Sequence, residues 1–164
     1  MKKKIVLLGA GGASTSILVQ AALDGAVEIA VFSRPGKFYD RAVEIIAKLN
    51  EQTKCNCHIH TLSELELLKE ELKTSYILIN GTSVGMAPDI ENCIIPDASY
   101  FHKDLVVADV IYNPRETKLL SMAKEAGCAT FNGMYMLLYQ GAEALRLWTD
   151  KDMPVELVKE RYFS

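Results

Sequence analysis

Short apolar runs alternate along this chain with segments whose apolar residues recur at helical spacing. Ile5-Val6-Leu7-Leu8 is continuously apolar and predicts a short strand buried on both faces. Val27 to Phe32, Tyr76 to Ile79 and Leu105 to Val110 predict further strands, Asn56 to Thr61 a mixed, edge-like one, and Cys128 to Phe131 a last short one. Between them lie the helical segments. The first opens with small residues, carries Ile17, Leu18, Ala21 and Ala22, and is stopped by Asp24-Gly25. The second runs from Phe38 to Lys54 with Ala42, Ile45, Ile46 and Leu49 on one face. Ser63 opens the third, with Glu66 completing a capping box and Leu65, Leu68 and Leu72 as its seam. Thr117 to Ala126 is a helix closed by Gly127. Asn132 caps a helix from about Gly133 to Thr149 whose Leu137, Gly141, Ala144 and Trp148 share a face. Pro154 to Arg161 forms a terminal helix with Pro154 in its first turn. Residues 87 to 104, with Pro88 and Pro96, are expected to be irregular.

Strand and helix alternate six times in this reading. That order implies one α/β domain over residues 1–164, a doubly wound parallel sheet of Rossmann type with six strands and helices on both faces. No linker or repeat divides it. The loops that carry polar and glycine-rich sequence follow strands one, two, four, five and six. In such folds those carboxyl ends form the ligand crevice.

Composition narrows the function classes. Hydrophobic residues make up 49% and charged residues 24% of 164, a normal globular balance. A net charge of −3 gives no argument for nucleic acid or an anionic membrane. No apolar run approaches the roughly 20 residues that span a bilayer. Met1-Lys2-Lys3-Lys4 begins like a secretion signal, but the apolar run after it is too short and ends in glycines. Four cysteines without such a signal imply reduced thiols and a cytoplasmic protein. Cys55, Cys57, His58 and His60 resemble a metal cluster at first sight. On one strand, however, the cysteines and histidines point to opposite faces, so no metal site is expected there.

The first turn carries the clearest chemistry. After the first strand comes Gly9-Ala10-Gly11-Gly12-Ala13-Ser14. Gly9 permits the tight turn, Gly11 lets the backbone approach a phosphate, and the next helix offers free N–H groups and its positive dipole end. Strand, turn and helix in that order suit a dinucleotide pyrophosphate. Ser14 replaces the third glycine of the strict pattern and is small enough for close helix–strand packing. The second strand ends at Ser33-Arg34-Pro35-Gly36-Lys37, with no acid before Asp40. An acid here would hold the ribose hydroxyls of NAD, whereas Arg34 favours the 2′-phosphate of NADP. The cofactor is therefore read as NADP or NAD, with NADP favoured.

Four segments taken together resemble the shikimate/quinate dehydrogenase family. They are Gly9 to Ser14, Asn80-Gly81-Thr82-Ser83-Val84-Gly85-Met86, Asp109-Val110-Ile111-Tyr112-Asn113-Pro114 with Thr117 to Leu120, and Gly133 with Met136 to Ala142. The closing Leu147-Trp148-Thr149 agrees as well. The resemblance is to the family's C-terminal, NAD(P)-binding half and covers essentially the whole chain. Phe38, Tyr39 and Asp40 bring it closest to the quinate/shikimate branch. The resemblance implies reversible hydride transfer between a nicotinamide cofactor and the ring hydroxyl of shikimate or quinate, a step of aromatic amino acid biosynthesis. It further implies that Ala10, Gly11, Gly12 and Ala13 cradle the pyrophosphate and that Ser33, Arg34, Pro35 and Gly36 meet the adenosine ribose. Ser83, Val110, Ile111, Tyr112, Asn113 and Gly133 would line the nicotinamide side, and Tyr112 and Gln140 would reach the substrate. Phenols and amides suit hydroxyl or carboxylate groups because they bond them without titrating near neutrality.

The departures from the family pattern are Gly36, where the quinate/shikimate branch commonly carries Asp, and Asn132, where Asp is frequent. The family's catalytic Lys–Asp pair and most substrate contacts lie in an N-terminal domain that this sequence does not contain. No catalytic residue is therefore assigned, and this length alone is expected to be inactive. The substrate would be shared with that domain. Two alternatives remain: a dinucleotide-binding module without chemistry, and a different small Rossmann oxidoreductase such as a methylene-tetrahydrofolate dehydrogenase relative. Gln140 and the Tyr112-Asn113-Pro114 loop argue against the latter.

Overall fold

The computed structural model describes residues 3–163; Met1 and Lys2 of the basic N-terminal run, and Ser164, lie outside the described residues. The strands are β1 (Lys4–Leu8), β2 (Glu28–Ser33), β3 (Asn56–Thr61), β4 (Ile77–Asn80), β5 (Val106–Asp109) and β6 (Ala129–Phe131). The α-helices are α1 (Gly12–Leu23), α2 (Lys37–Gln52), α3 (Leu65–Lys73), α4 (Lys118–Glu125), α5 (Met134–Thr149) and α6 (Val155–Tyr162). All strand pairs are parallel, in the order β3-β2-β1-β4-β5-β6. The order reverses between β1 and β4, which places a crevice at their carboxyl ends.

Alternation along the strands sorts the core into two faces. Leu7, Ile29 and Val31 pack with Leu18 and Ala22 of α1 and with Ile46 and Leu49 of α2. Val6, Leu8, Ala30, Phe32, Leu78 and Val107 pack on the other face with Leu68 and Leu72 of α3 and Leu119, Leu120 and Ala123 of α4. The central strands are thus apolar on both sides because helices cover both. No helix among the described residues is long and apolar enough to cross a membrane.

Several local expectations need correction. Residues 87 to 104 are irregular as expected, with one 3₁₀ turn at Ala98–Tyr100, so what changes is the strict strand–helix alternation, which is interrupted between β4 and β5. Ile95, Tyr100 and Leu105 from this region still fill the α3/α4 face, so burial there does not require a regular helix. The capping box at Ser63 and Glu66 is absent: Glu64 sits at the N-cap of α3, and its carboxylate accepts the Thr61 N–H at 2.7 Å and the Thr61 hydroxyl at 2.9 Å. The longer acid reaches back to the strand end, while the Ser63 and Thr61 hydroxyls bond each other at 2.8 Å. Leu65, at the first position of α3, is exposed, and the seam is carried by Leu68 and Leu72. Asn132 accepts the Met134 N–H at 3.2 Å, although the N-cap position itself falls on Gly133. Pro154 is the N-cap of α6 rather than part of its first turn. In α5 the helical period is as read, but only Leu138 is buried, while Leu137 is 41% and Trp148 82% exposed. That helix packs beside α6, where Tyr135 and Phe163 meet at 5.3 Å between ring centroids.

Candidate functional site

Two adjoining cavities open at the carboxyl ends of the central strands. The larger, of about 510 Å³, is bounded by Gly9 to Gly11, Ser33 to Phe38, Leu62, and Gly81 to Ser83. The smaller, of about 250 Å³, lies between Thr82, Ser83, Met86, Ala87 and the loop Val110 to Asn113. Thr82 and Ser83 belong to both, so one elongated ligand can run from one to the other.

The turn after β1 is built by backbone constraints. Gly9 has φ +96°, a region that side chains disfavour, and a Cβ there would lie 2.7 Å from Thr82 Cγ2. Its N–H donates to Phe32 O at 2.7 Å, tying the turn to β2. Cβ atoms on Gly11 or Gly12 would meet nothing within 4 Å. The space over the first turn of α1 is open, and the first N–H groups of a helix have no intrahelical acceptor. Ser14 is buried, and its hydroxyl donates to Gly81 O at 3.1 Å. It thereby pins α1 to the loop after β4, at a distance that leaves Gly81 no room for a side chain.

The far wall of the larger cavity is cationic and apolar. Arg34 and Lys37 line it together with Phe38 and Leu62. Lys37 Nζ stands 5.1 Å from the Phe38 ring centroid. No carboxylate among the described residues lines this cavity; Asp40 lies in the first turn of α2 but outside the wall. Arg34 enters none of the ion pairs among the described residues. A helix N-terminus, a close-approach glycine turn and an unpaired guanidinium suit an anionic ligand with several phosphates.

A buried polar chain shapes the smaller cavity. Asn80, at the end of β4, accepts the Thr82 N–H at 3.1 Å and the Thr82 hydroxyl at 2.7 Å. The Thr82 hydroxyl in turn accepts the Val84 N–H at 3.1 Å. The Asn80 amide donates to Asp109 Oδ1 at 3.1 Å and to Val84 O at 3.3 Å. Asp109 also accepts the Ile111 N–H at 3.0 Å and the Thr117 hydroxyl at 2.8 Å. Burial raises the Asp109 pKa above the usual carboxylate value, with these donors pulling it back. Both cavity loops are thus held from behind by side chains at the strand ends.

Residues 133–161 match the family described as the Shikimate 5′-dehydrogenase C-terminal domain. The chain is 44% identical over 161 residues to shikimate dehydrogenase (NADP(+)) of Listeria monocytogenes, covering 98% of this chain and 55% of that protein. It is 46% identical over 158 residues to a quinate/shikimate dehydrogenase of Escherichia coli, covering 96% and 55%. The crystal structure of Listeria monocytogenes shikimate 5-dehydrogenase in complex with shikimate and NAD superposes with a TM-score of 0.91 at 43% identity, covering 98% of this chain and 55% of that one. Over nearly its whole length the chain is similar to shikimate and quinate/shikimate dehydrogenases. It spans about half the length of the curated relatives it matches.

The family-type positions fall into three groups. Ala10, Gly11, Ser33, Arg34, Pro35, Gly36 and Ser83 line the larger cavity, and Ser83 with Val110, Ile111, Tyr112 and Asn113 lines the smaller. Gly12 and Ala13 form the exposed first turn of α1 beside the larger one. Gly133 and Gln140 line neither. Gly133 is buried behind the loop after β5, its N–H donating to Ile111 O at 2.9 Å, and a Cβ would overlap the Val110 carbonyl. Gln140 stands exposed on α5. Lys37, Phe38, Leu62, Gly81, Thr82, Met86 and Ala87 are wall residues that the sequence reading did not assign to the site. The polar loop after β4 and the residues following Arg34 were visible signals. Leu62 gave none, because nothing local tells a wall leucine from a core one.

Cys55 and Cys57 lie together, Sγ to Sγ 3.5 Å, as buried thiols, and burial pushes Cys57 up to about 12. His58 and His60 pair on the opposite side with centroids 5.0 Å apart. His58 instead joins Glu28 and Glu71, the three ligand atoms lying within 4.8 Å of one another. The Lys4 ammonium occupies that cluster, 2.9 Å from Glu28 and 2.6 Å from Glu71. Burial lowers the His58 pKa against the pull of the two acids.

Proposed function

We propose that this chain is the cofactor-holding half of a shikimate/quinate dehydrogenase, a single NAD(P)-binding domain of a cytoplasmic oxidoreductase. Two adjoining cavities that share Thr82 and Ser83, with the α1 N-terminus at one wall, carry this reading. The N–H groups of Ala10 to Ala13 hold the pyrophosphate, and Ser33 to Gly36 the adenosine ribose. Arg34 supports NADP over NAD, since a guanidinium pairs with a 2′-phosphate and no acid is present to take ribose hydroxyls. Ser83 and Val110 to Asn113 enclose the nicotinamide, with Gly133 holding the latter loop in place. Tyr112 and Gln140 meet shikimate or quinate from this side. A bound nicotinamide supplies the hydride acceptor or donor.

The walls of the smaller cavity carry hydroxyl, thioether, phenol, amide and aliphatic groups. Such groups are poor proton acceptors at neutral pH. The base that takes the substrate hydroxyl proton therefore comes from a second, N-terminal domain, as do most substrate contacts.

Titration calorimetry with NADP and NAD tests the cofactor half of this reading, and absence of binding by either at millimolar concentration refutes it. Cofactor reduction measured by absorbance tests the rest. The 164-residue chain should give no shikimate- or quinate-dependent signal alone. It should gain one when a matching N-terminal domain is supplied. In that assembly Gln140→Ala should raise KM for the substrate and leave cofactor affinity nearly unchanged. Robust turnover by the short chain alone would refute the division of labour.

A further inference from the structure

The smaller cavity has an acidic group directly behind its wall that hydride transfer, as described above, does not use. Asp109 ends β5 with 3% of its surface exposed. Its partners are Ile111, itself a wall residue, the Asn80 amide, which holds the shared wall residue Thr82, and the Thr117 hydroxyl. No lysine, arginine or histidine pairs with it among the described residues. Burial disfavours its anionic form and the three donors counter that only in part, and no cation compensates the negative charge once it is ionised. Water that would screen such a charge is excluded by the strand ends on one side and by any ligand filling the cavity on the other. Under those conditions a unit charge acts across one residue's thickness.

We propose that Asp109 is a positioning charge that makes the smaller cavity favour an oxidised, cationic nicotinamide over its reduced, neutral form. This rests on the reading of that cavity as the nicotinamide site. The two forms differ by one positive charge on the ring and hardly at all in size, so packing alone gives no such preference. The consequence is chemical: the domain retains the form that accepts hydride from an alcohol and releases the form that has received it.

Asp109→Asn separates charge from structure. The amide oxygen still accepts from Ile111 and Asn80, and the new NH₂ donates to the Thr117 hydroxyl. Affinities for NADP⁺, NADPH and 2′-phospho-ADP-ribose should be measured on the full chain, wild type and variant. Wild type should favour NADP⁺ by about tenfold, the scale of one largely screened charge. Asp109→Asn should bring the two forms within about twofold of each other. Its affinity for 2′-phospho-ADP-ribose, which lacks the nicotinamide, should not change. A variant that keeps the wild-type ratio, or that loses affinity equally for both forms, overturns the proposal. So does a wild type that binds NADPH as tightly as NADP⁺. Should Asp109→Asn not fold, Asp109→Ser removes the same charge from a smaller side chain, and if neither folds the wild-type ratio decides alone. A wild type that binds 2′-phospho-ADP-ribose but shows no preference between the two forms leaves the cofactor site standing and removes only the role of Asp109. Failure to bind any of the three refutes the site itself.

Discussion

Gly133→Ala is the most demanding test of how the smaller cavity is built. Gly133 has φ −75° and ψ 0°, a conformation that alanine adopts freely, so any cost must come from contact rather than from the backbone. A Cβ there would overlap the Val110 carbonyl and lie 3.0 Å from the Ile111 carbonyl carbon. Both neighbours are backbone atoms at the end of a buried strand and cannot turn aside like a flexible side chain. The start of α5 must then move by about 1.5 Å to reach ordinary contact distance. That motion breaks the Gly133 N–H to Ile111 O bond of 2.9 Å. Overpacking costs about 1–3 kcal/mol, and the lost bond about 1 kcal/mol. The sum, about 2–4 kcal/mol, lowers the Tm of a domain this size by roughly 5–15 °C. Thermal unfolding followed by circular dichroism measures it. Titration with NADP and with 2′-phospho-ADP-ribose should show the surviving folded protein weakened toward the first and little changed toward the second. A Tm within about 2 °C of wild type, where about 5 °C is the least expected, would refute the steric reasoning.

Arg34→Ala should weaken NADP more than NAD by about 1–3 kcal/mol, the range for hydrogen bonds to charged groups; equal losses in calorimetry would show that Arg34 does not read the 2′-phosphate. Lys4→Met should destabilise the fold by about 1–3 kcal/mol in urea titration, because it leaves Glu28 and Glu71 half-buried without their cation; an unchanged midpoint would show that the cluster is solvated. The raised pKa of Asp109 means the folded state keeps a proton that the unfolded chain has lost, so this group's contribution to stability falls as pH climbs above the ordinary value of 3.8. Asp109→Asn should therefore gain stability relative to wild type as pH rises above that value, and a pH-independent difference in Tm would contradict the burial of that charge.

The parts of this protein legible in its sequence are those decided by neighbours in the chain. Apolar runs such as Ile5 to Leu8 specify buried strands, Gly9 to Ser14 specifies a turn into a helix, and the absence of an acid from Ser33 to Lys37 marks the cationic wall. Each is a matter of backbone freedom, side-chain period or local charge, and none needs to know what lies across the sheet. The sequence shows Ser14 only as a small residue, yet its hydroxyl binds a carbonyl 67 positions away. Asn80 and Asp109 stood in plain view as strand ends, but their pairing follows from the parallel register that sets Asn80 opposite Asp109. Register likewise sets Lys4 opposite Glu28. Adding Glu71 from α3 turns two apparently unrelated surface residues into an ion cluster. The α5 face shows the converse, since a correct helical period did not determine burial: Trp148 and Leu137 stay exposed because no described element closes over them. Periodicity states which side of an element is apolar, whereas strand order and register decide what that side meets, and the loops at the carboxyl ends become a site only once the sheet has set them side by side.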